Sequence, residues 1–332
     1  MQPIQLTDAL FRGAVSLEHG DGWAKPWRIP VAEYDLFPPG GIGGTAEIPA
    51  GVRLALVSDT RSLEVGLLPS GATTTLDCVI NEELVSMAAA PPGTDRVPFS
   101  GLPAGNKRIE IYLSQTVPVR LTGLTVEDGA RVVPVTDDRP RWITYGSSIS
   151  QCTTAASPAQ TWPALVARRN RLGLTCLGFG GNCHLEPMVA RLIRDQPADL
   201  ISLCLGINVQ GGATLAQRTF RAAVIGFVKI VREGHPGAPI AVLSPILSPP
   251  RETARNAVGL SLVDMRGEIG EAVAALRACG DPDVHYVDGL AVFGEAELPH
   301  LPDLLHPNAE GYAHFAVNFQ RAVVEPIFKG AR

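Results

Sequence analysis

Five side chains or glycines between positions 148 and 306 have the chemistry for acyl transfer. "WITYGSSISQC" (142–152) runs from apolar residues into Gly146, Ser147 and Ser148. "LGFGGN" carries Gly180 and Gly181, "LGINV" carries Asn208, and "LPDLLHPNAEGY" carries Asp303 and His306. A serine hydroxyl is a weak nucleophile until a base removes its proton. Histidine is suited to that task near neutral pH, and a carboxylate on its far nitrogen holds the required tautomer. The negative oxygen of a tetrahedral intermediate needs aimed N–H donors, and a glycine amide and an asparagine side chain supply them. Asp303 and His306 are three apart, so one turn can present both on one side. His306 precedes Pro307, which biases it away from helical geometry and leaves Pro307 to start a helix.

The elements around these residues have a regular rhythm. From about 136 onward, short apolar runs ("WITYG", "LTCLGFG", "DLISLCLG", "APIAVLSP", "VHYVDG") alternate with helix-length segments ("SPAQTWPALVARRN", "LEPMVARLIRDQ", "TLAQRTFRAAVIGFVKIVREG", "SLVDMRGEIGEAVAALRAC", "NAEGYAHFAVNFQRAVVEPIF"). That alternation predicts a five-stranded parallel sheet with helices on both faces. Ligands bind such sheets beyond the carboxyl ends of the strands, where all the candidate residues fall. Residues 1–135 read differently. "KRIEIYLSQTVPVRLTGLTVEDG" alternates apolar and polar residues, and "FPPGGIGG", "APPGTD" and "GLPAG" punctuate the stretch. An antiparallel β-sandwich or jelly roll is expected there. The expected division is therefore 1–135 and 136–332.

The four blocks resemble those of the SGNH hydrolases, also called the GDSL esterase/lipase family. "YGSSIS" resembles the serine block, with Ser148 at the serine position and Ser147 where aspartate is usual. "LGFGGN" places Gly181 at the oxyanion glycine, "LGIN" places Asn208 at the oxyanion amide, and "DLLH" places Asp303 and His306. The resemblance covers about 141–328 and is nearest a bacterial two-domain branch with "YGxSIxQ" and a β-rich N-terminal domain. It implies a flavodoxin-like three-layer α/β/α catalytic domain. It also implies a Ser148–His306–Asp303 triad and an oxyanion hole of Ser148, Gly181 and Asn208, with no cofactor and no metal. Val209 stands where the family usually has an aspartate after the asparagine.

Other readings compete at several positions. Ser148 is alternatively a loop serine capping a helix, Ser147 a rival nucleophile, and Asp288 in "YVDGL" a rival carboxylate. Cys152 and Cys183 flank the proposed site and read as packing thiols. His184 and Glu186 read equally as cleft-lining or helix-start residues. Trp142 and Trp162 read as core. Trp23 and Trp27 read as packing ahead of a sugar-stacking surface. His19, His235, His285, His300 and His314 show no ligand spacing.

Composition narrows the partners. The 332 residues are 45% hydrophobic and 18% charged, with a net charge of −5. Nothing provides the basic footprint of a nucleic-acid or acidic-membrane binder. No apolar run approaches the ~20 residues that span a bilayer. The N-terminus lacks the pattern of a signal peptide, so a cytoplasmic location is expected. Cys78, Cys152, Cys176, Cys183, Cys204 and Cys279 form no CxxC pair, which argues against zinc or disulfide frameworks. The expected function is a serine esterase acting on a short acyl ester, with acetyl expected because no long apolar groove or lid is legible, and with carbohydrate as a candidate alcohol. The alternatives are an acyltransferase or thioesterase using the same residues, and a binding protein on a hydrolase scaffold.

Overall fold

The computed structural model describes residues 1–329. The chain divides into two compact units. One is Met1–Arg139 with Ala156–Cys176, and the other is Pro140–Ala155 with the chain from Leu177 onward.

The first unit is built on two six-stranded sheets. One has the order Ser16–Gly20, Trp23–Trp27, Leu121–Val126, Ser62–Leu67, Arg96–Ser100, with Gln2–Ile4 also on Leu121–Val126. The other has the order Val132–Pro134, Arg53–Ser58, Lys107–Tyr112, Thr74–Ile80, Glu83–Ala90, with Phe11–Arg12 also on Arg53–Ser58. The pairs are antiparallel. The period-two pattern explains them: in Ser62–Leu67, Leu63, Val65 and Leu67 turn inward while the residues between them stay partly exposed. Leu54, Leu56, Leu76, Ile109, Ile111 and Leu124 join them in one apolar core. A charged cluster is also buried in this unit. Arg53, Arg108 and Arg139 donate to Glu110 Oε1 at 3.0, 3.1 and 2.9 Å.

The parallel sheet has the order Gly173–Gly178, Arg141–Gly146, Leu200–Cys204, Ile240–Leu243, Val284–Val287. Numbered along the chain that is 2-1-3-4-5, the flavodoxin-like order inferred from the family resemblance. Its central strands are largely apolar, as sheets covered on both faces require: Ile201 and Leu203 are 0% exposed, as are Ile240 and Val242. Register runs Trp142 to Leu200, Ile201 to Ile240 and Ile240 to Val284. The Gln217–Gly234 helix buries Phe220, Val224, Phe227, Val228 and Val231, one stripe at helical spacing. Ser261 and Asp264 form a capping box that starts the Leu262–Ala278 helix. The sheet reverses direction of winding where Arg141–Gly146 meets Leu200–Cys204, and the loops leaving these two strands carry Ser148 and Asn208.

Candidate active site

Arg141–Gly146 leads directly into a one-turn helix, Ser148–Gln151. The turn is tight enough to demand glycine on both sides of it. A Cβ on Gly146 would stand 2.2 Å from Ser150 Oγ, and one on Gly178 would stand 2.4 Å from the Gln151 amide nitrogen. Ser147 is the residue that caps the helix: its Oγ accepts the Ile149 N–H at 3.2 Å, and it is 2% exposed. The capping role considered for Ser148 therefore belongs to Ser147, which is thereby withdrawn from the surface. Ser148 is left with its hydroxyl 2.9 Å from His306 Nε2.

His306 and Asp303 meet as their spacing suggests. His306 Nδ1 lies 2.7 Å from Asp303 Oδ2. Asp303 Oδ1 also accepts the main-chain N–H groups of His306 at 2.6 Å and Leu305 at 3.0 Å. An ionised carboxylate only accepts, so the Nδ1 proton points at Asp303 and the Nε2 lone pair faces Ser148. Burial raises the Asp303 carboxyl, but hydrogen bonds from the His306 amide, the His306 ring and the Leu305 amide outweigh it and hold the group at about 2. Three bonds fix the loop that carries the pair: Ser248 Oγ donates to Leu304 O at 2.7 Å, Thr154 Oγ1 to Pro307 O at 2.8 Å, and the Asn308 N–H to His300 O at 2.9 Å. Pro307 leads into Asn308, whose side chain accepts the Gly311 N–H at 2.8 Å and caps the Ala309–Phe319 helix.

The glycine turn is braced from Ser148's own helix. Gln151 Oε1 accepts the Gly180 N–H at 2.9 Å, and Asn182 Nδ2 donates to Gly180 O at 2.6 Å. Gly181 has φ +72°, in the left-handed region, and open space where a side chain would project. His184 seats the turn from the other side, with Nε2 3.0 Å from Gly181 O and Nδ1 2.9 Å from Thr214 Oγ1. Asn208 lies in the Ile207–Gly212 helix, which follows Gly206 at φ +106°. The Cys183 N–H donates to Asn208 Oδ1 at 3.0 Å, which assigns the amide oxygen to the turn and leaves Nδ2 as the outward donor. Among the described residues, the N–H groups of Ser148 and Gly181 and the Nδ2 of Asn208 have no hydrogen-bond partner. Such free donors suit an oxygen that gains negative charge.

The competing candidates fall into other roles. Asp288 caps the Gly289–Val292 helix by accepting the Leu290 N–H at 3.0 Å. Cys152 and Cys183 are buried, and burial raises the Cys183 thiol, the reverse of what a thiolate nucleophile needs. Glu186 accepts from Tyr145 Oη at 2.6 Å and from the His184 N–H at 3.0 Å, so it braces the loop after the glycines. Val209 is buried where the family usually has an acid. Trp142 and Trp162 are core residues, Trp27 is buried with its Nε1 donating to Glu18, and Trp23 is partly exposed. Gln151, Thr154 and Ser248 had no role assigned from sequence, although Gln151 stands three residues after Ser148 in the same block. Among the described residues, one group of three could hold a metal ion: His300, Glu310 and His314, outside the serine, imidazole and carboxylate array.

Comparison with known proteins bears on the family and the fold. Residues 143–314 match the GDSL-like lipase/acylhydrolase family, and residues 9–119 match the N-terminal domain of SsfX3. The solved structure of the salicylyl-acyltransferase SsfX3 from a tetracycline biosynthetic pathway is 37% identical, with 97% of this chain and 96% of that chain covered and a TM-score of 0.89. A GDSL-like lipase from Bacteroides ovatus is 21% identical, with 96% of each chain covered and a TM-score of 0.76. A family two carbohydrate esterase from Cellvibrio japonicus is 15% identical, with 96% of each covered and a TM-score of 0.64; it shares the fold. No curated protein matches the sequence. The family match takes in more than half of the chain, and the 37% identity runs almost from end to end, so this chain belongs to the GDSL-like lipase/acylhydrolase family.

Proposed function

We propose that this protein forms an acyl-enzyme on Ser148 and passes a small acyl group from an ester to water. The 2.9 Å contact between Ser148 Oγ and His306 Nε2 carries this reading. As Ser148 Oγ attacks the ester carbonyl, His306 Nε2 takes the hydroxyl proton. Asp303, ionised and bonded to Nδ1–H, stabilises the imidazolium that results. The tetrahedral oxygen turns toward Ser148 N–H, Gly181 N–H and Asn208 Nδ2. His306 then gives the proton to the departing alcohol, and the same steps run in reverse with water as the nucleophile. The His306 side chain is 29% exposed and Asp303 53%, so water reaches the imidazole face directly. An acetyl or similarly short acyl chain remains the substrate class that the sequence supports, with carbohydrate as the candidate alcohol.

A second reading has the acyl group delivered to a hydroxyl acceptor. It is favoured by the 37% identity over nearly the whole chain to a salicylyl-acyltransferase. The two readings share the acyl-enzyme and differ in what releases it. A p-nitrophenyl ester series from C2 to C12, with aromatic acyl esters added and with Ser148→Ala as control, tests both. Hydrolysis falling with chain length supports the first. Product acylated on an added alcohol, formed faster than free acid, supports the second. Activity retained in Ser148→Ala removes both.

A further inference from the structure

We propose that His300, Glu310 and His314 form a binding site for one divalent transition-metal ion of the zinc class. Their donor atoms all lie within 4.8 Å of one another. His300 Nδ1 is 3.7 Å from Glu310 Oε2, and the two imidazole rings stand 4.5 Å apart, centroid to centroid. In tetrahedral zinc sites with bonds of about 2.0–2.2 Å, neighbouring donors are roughly 3.3 Å apart. Glu310 is 71% exposed and His314 is also at the surface, so both side chains have room to rotate toward that spacing. Two imidazoles and one carboxylate, with a fourth position open to water, select zinc-like ions over magnesium or calcium.

The backbone around the cluster is organised in advance. Glu310 and His314 are four apart on the Ala309–Phe319 helix and so share one face. His300 ends the Glu295–His300 turn; Asn318 of the same helix donates to Glu297 Oε1 within it at 2.9 Å and to Val292 O just before it at 3.1 Å. His300 approaches the helix where Gly311 has no side chain; a Cβ there would stand 2.9 Å from the His300 Cβ. Neither the asparagine bonds nor the glycine contact is used by the serine chemistry.

The ligands also bracket the loop that carries Asp303 and His306: His300 lies before it, and Glu310 and His314 after it. A bound ion would close that loop a second time, beside the existing bond from the Asn308 N–H to His300 O. This consequence rests on the functional reading above; the metal site itself does not.

The test is a zinc titration of the metal-stripped full chain by competition with a chromophoric chelator, together with thermal unfolding and hydrogen exchange. One zinc per chain with a Kd of about 10 µM or tighter is expected. His314→Ala and Glu310→Gln should each weaken binding at least tenfold. His306→Ala should bind as the parent does, which separates this site from the triad. Zinc at 100 times Kd should raise the unfolding midpoint by several degrees in the parent and not in His314→Ala. Exchange at residues 301–308 should slow when the ion binds. The proposal is overturned by no stoichiometric binding at 100 µM zinc, by equal binding in His314→Ala, or by loss of binding in His306→Ala. A magnesium-induced shift equal to that of zinc also counts against it.

Discussion

Replacing Asp303 by asparagine should damage catalysis more than removing its side chain altogether. In the parent, Oδ1 accepts two main-chain N–H groups and Oδ2 accepts the His306 Nδ1 proton. Asparagine keeps its single oxygen on the two main-chain donors, since turning the amide round would set N–H against N–H. Its NH2 group then faces Nδ1 and forces that nitrogen to be an acceptor. The imidazole proton moves to Nε2, where it blocks the lone pair that must receive the Ser148 proton. The cost expected for such a tautomer inversion is about 10⁴-fold in kcat, or about 5 kcal/mol of barrier. Alanine leaves a gap instead. Asp303 is 53% exposed, so water fills that gap and accepts the Nδ1 proton. Alanine should therefore cost about 10²–10³-fold and exceed asparagine by tenfold or more. Initial rates on p-nitrophenyl acetate at pH 7–8 measure both. Because the Asp303 carboxyl lies at about 2, it stays ionised at every practical assay pH, and the parent loses no activity to its protonation there. An asparagine variant as active as the parent, or more active than alanine, would refute the hydrogen-bond argument.

Three further outcomes follow from the same contacts. Asn208→Ala removes the Nδ2 donor and should lower kcat about 10²–10³-fold with KM little changed; a change confined to KM would assign the residue to ground-state binding. Gly178→Ala puts a Cβ against the Gln151 main chain and should destabilise the protein by about 1–3 kcal/mol, with a loss of activity as the Ser148 turn shifts; an unchanged urea midpoint would contradict it. Glu110 is raised by burial, but Arg53, Arg139 and Arg108 overcome this and bring it to about 2, below the roughly 4.3 of an exposed glutamate. Its folded pKa is depressed, so its stabilisation, on the order of 3 kcal/mol, is complete above about pH 5 and is lost as the pH falls from there toward 2. The stability gap between the parent and Glu110→Gln should narrow over that window, and a gap independent of pH would be inconsistent with the cluster described.

The fold and the meeting of the candidate residues were legible for a physical reason. A parallel sheet covered on both faces needs apolar strands bounded by glycine, and strands such as "LISLC" have no other stable setting. Ligands of such sheets bind at the strands' carboxyl ends, so reading the residue after each run led to the candidates Ser148, Gly181, Asn208 and His306. The supports were harder to see. Gln151 reaches Gly180 across 29 positions, and Ser248 reaches Leu304 O across 56; both are long-range bonds without a periodic signature. Ser147 and Ser148 are chemically alike, and only the geometry of the turn separates cap from free hydroxyl. His300 and His314 lack ligand spacing in sequence because the chain between them loops out and returns, a path that Gly311 and the Asn308 cap define. The segment 156–176 groups with the β-rich unit, although its helix-strand rhythm is that of the parallel sheet.

Intact-protein and peptide mass spectrometry after treatment with a fluorophosphonate probe addresses the central claim most directly. One adduct per chain, on the peptide containing Ser148, with labelling abolished in Ser148→Ala and strongly slowed in His306→Ala, is the predicted result. An unlabelled protein that still turns over ester, or an adduct on Ser147 or any other residue that tracks with activity, would contradict it.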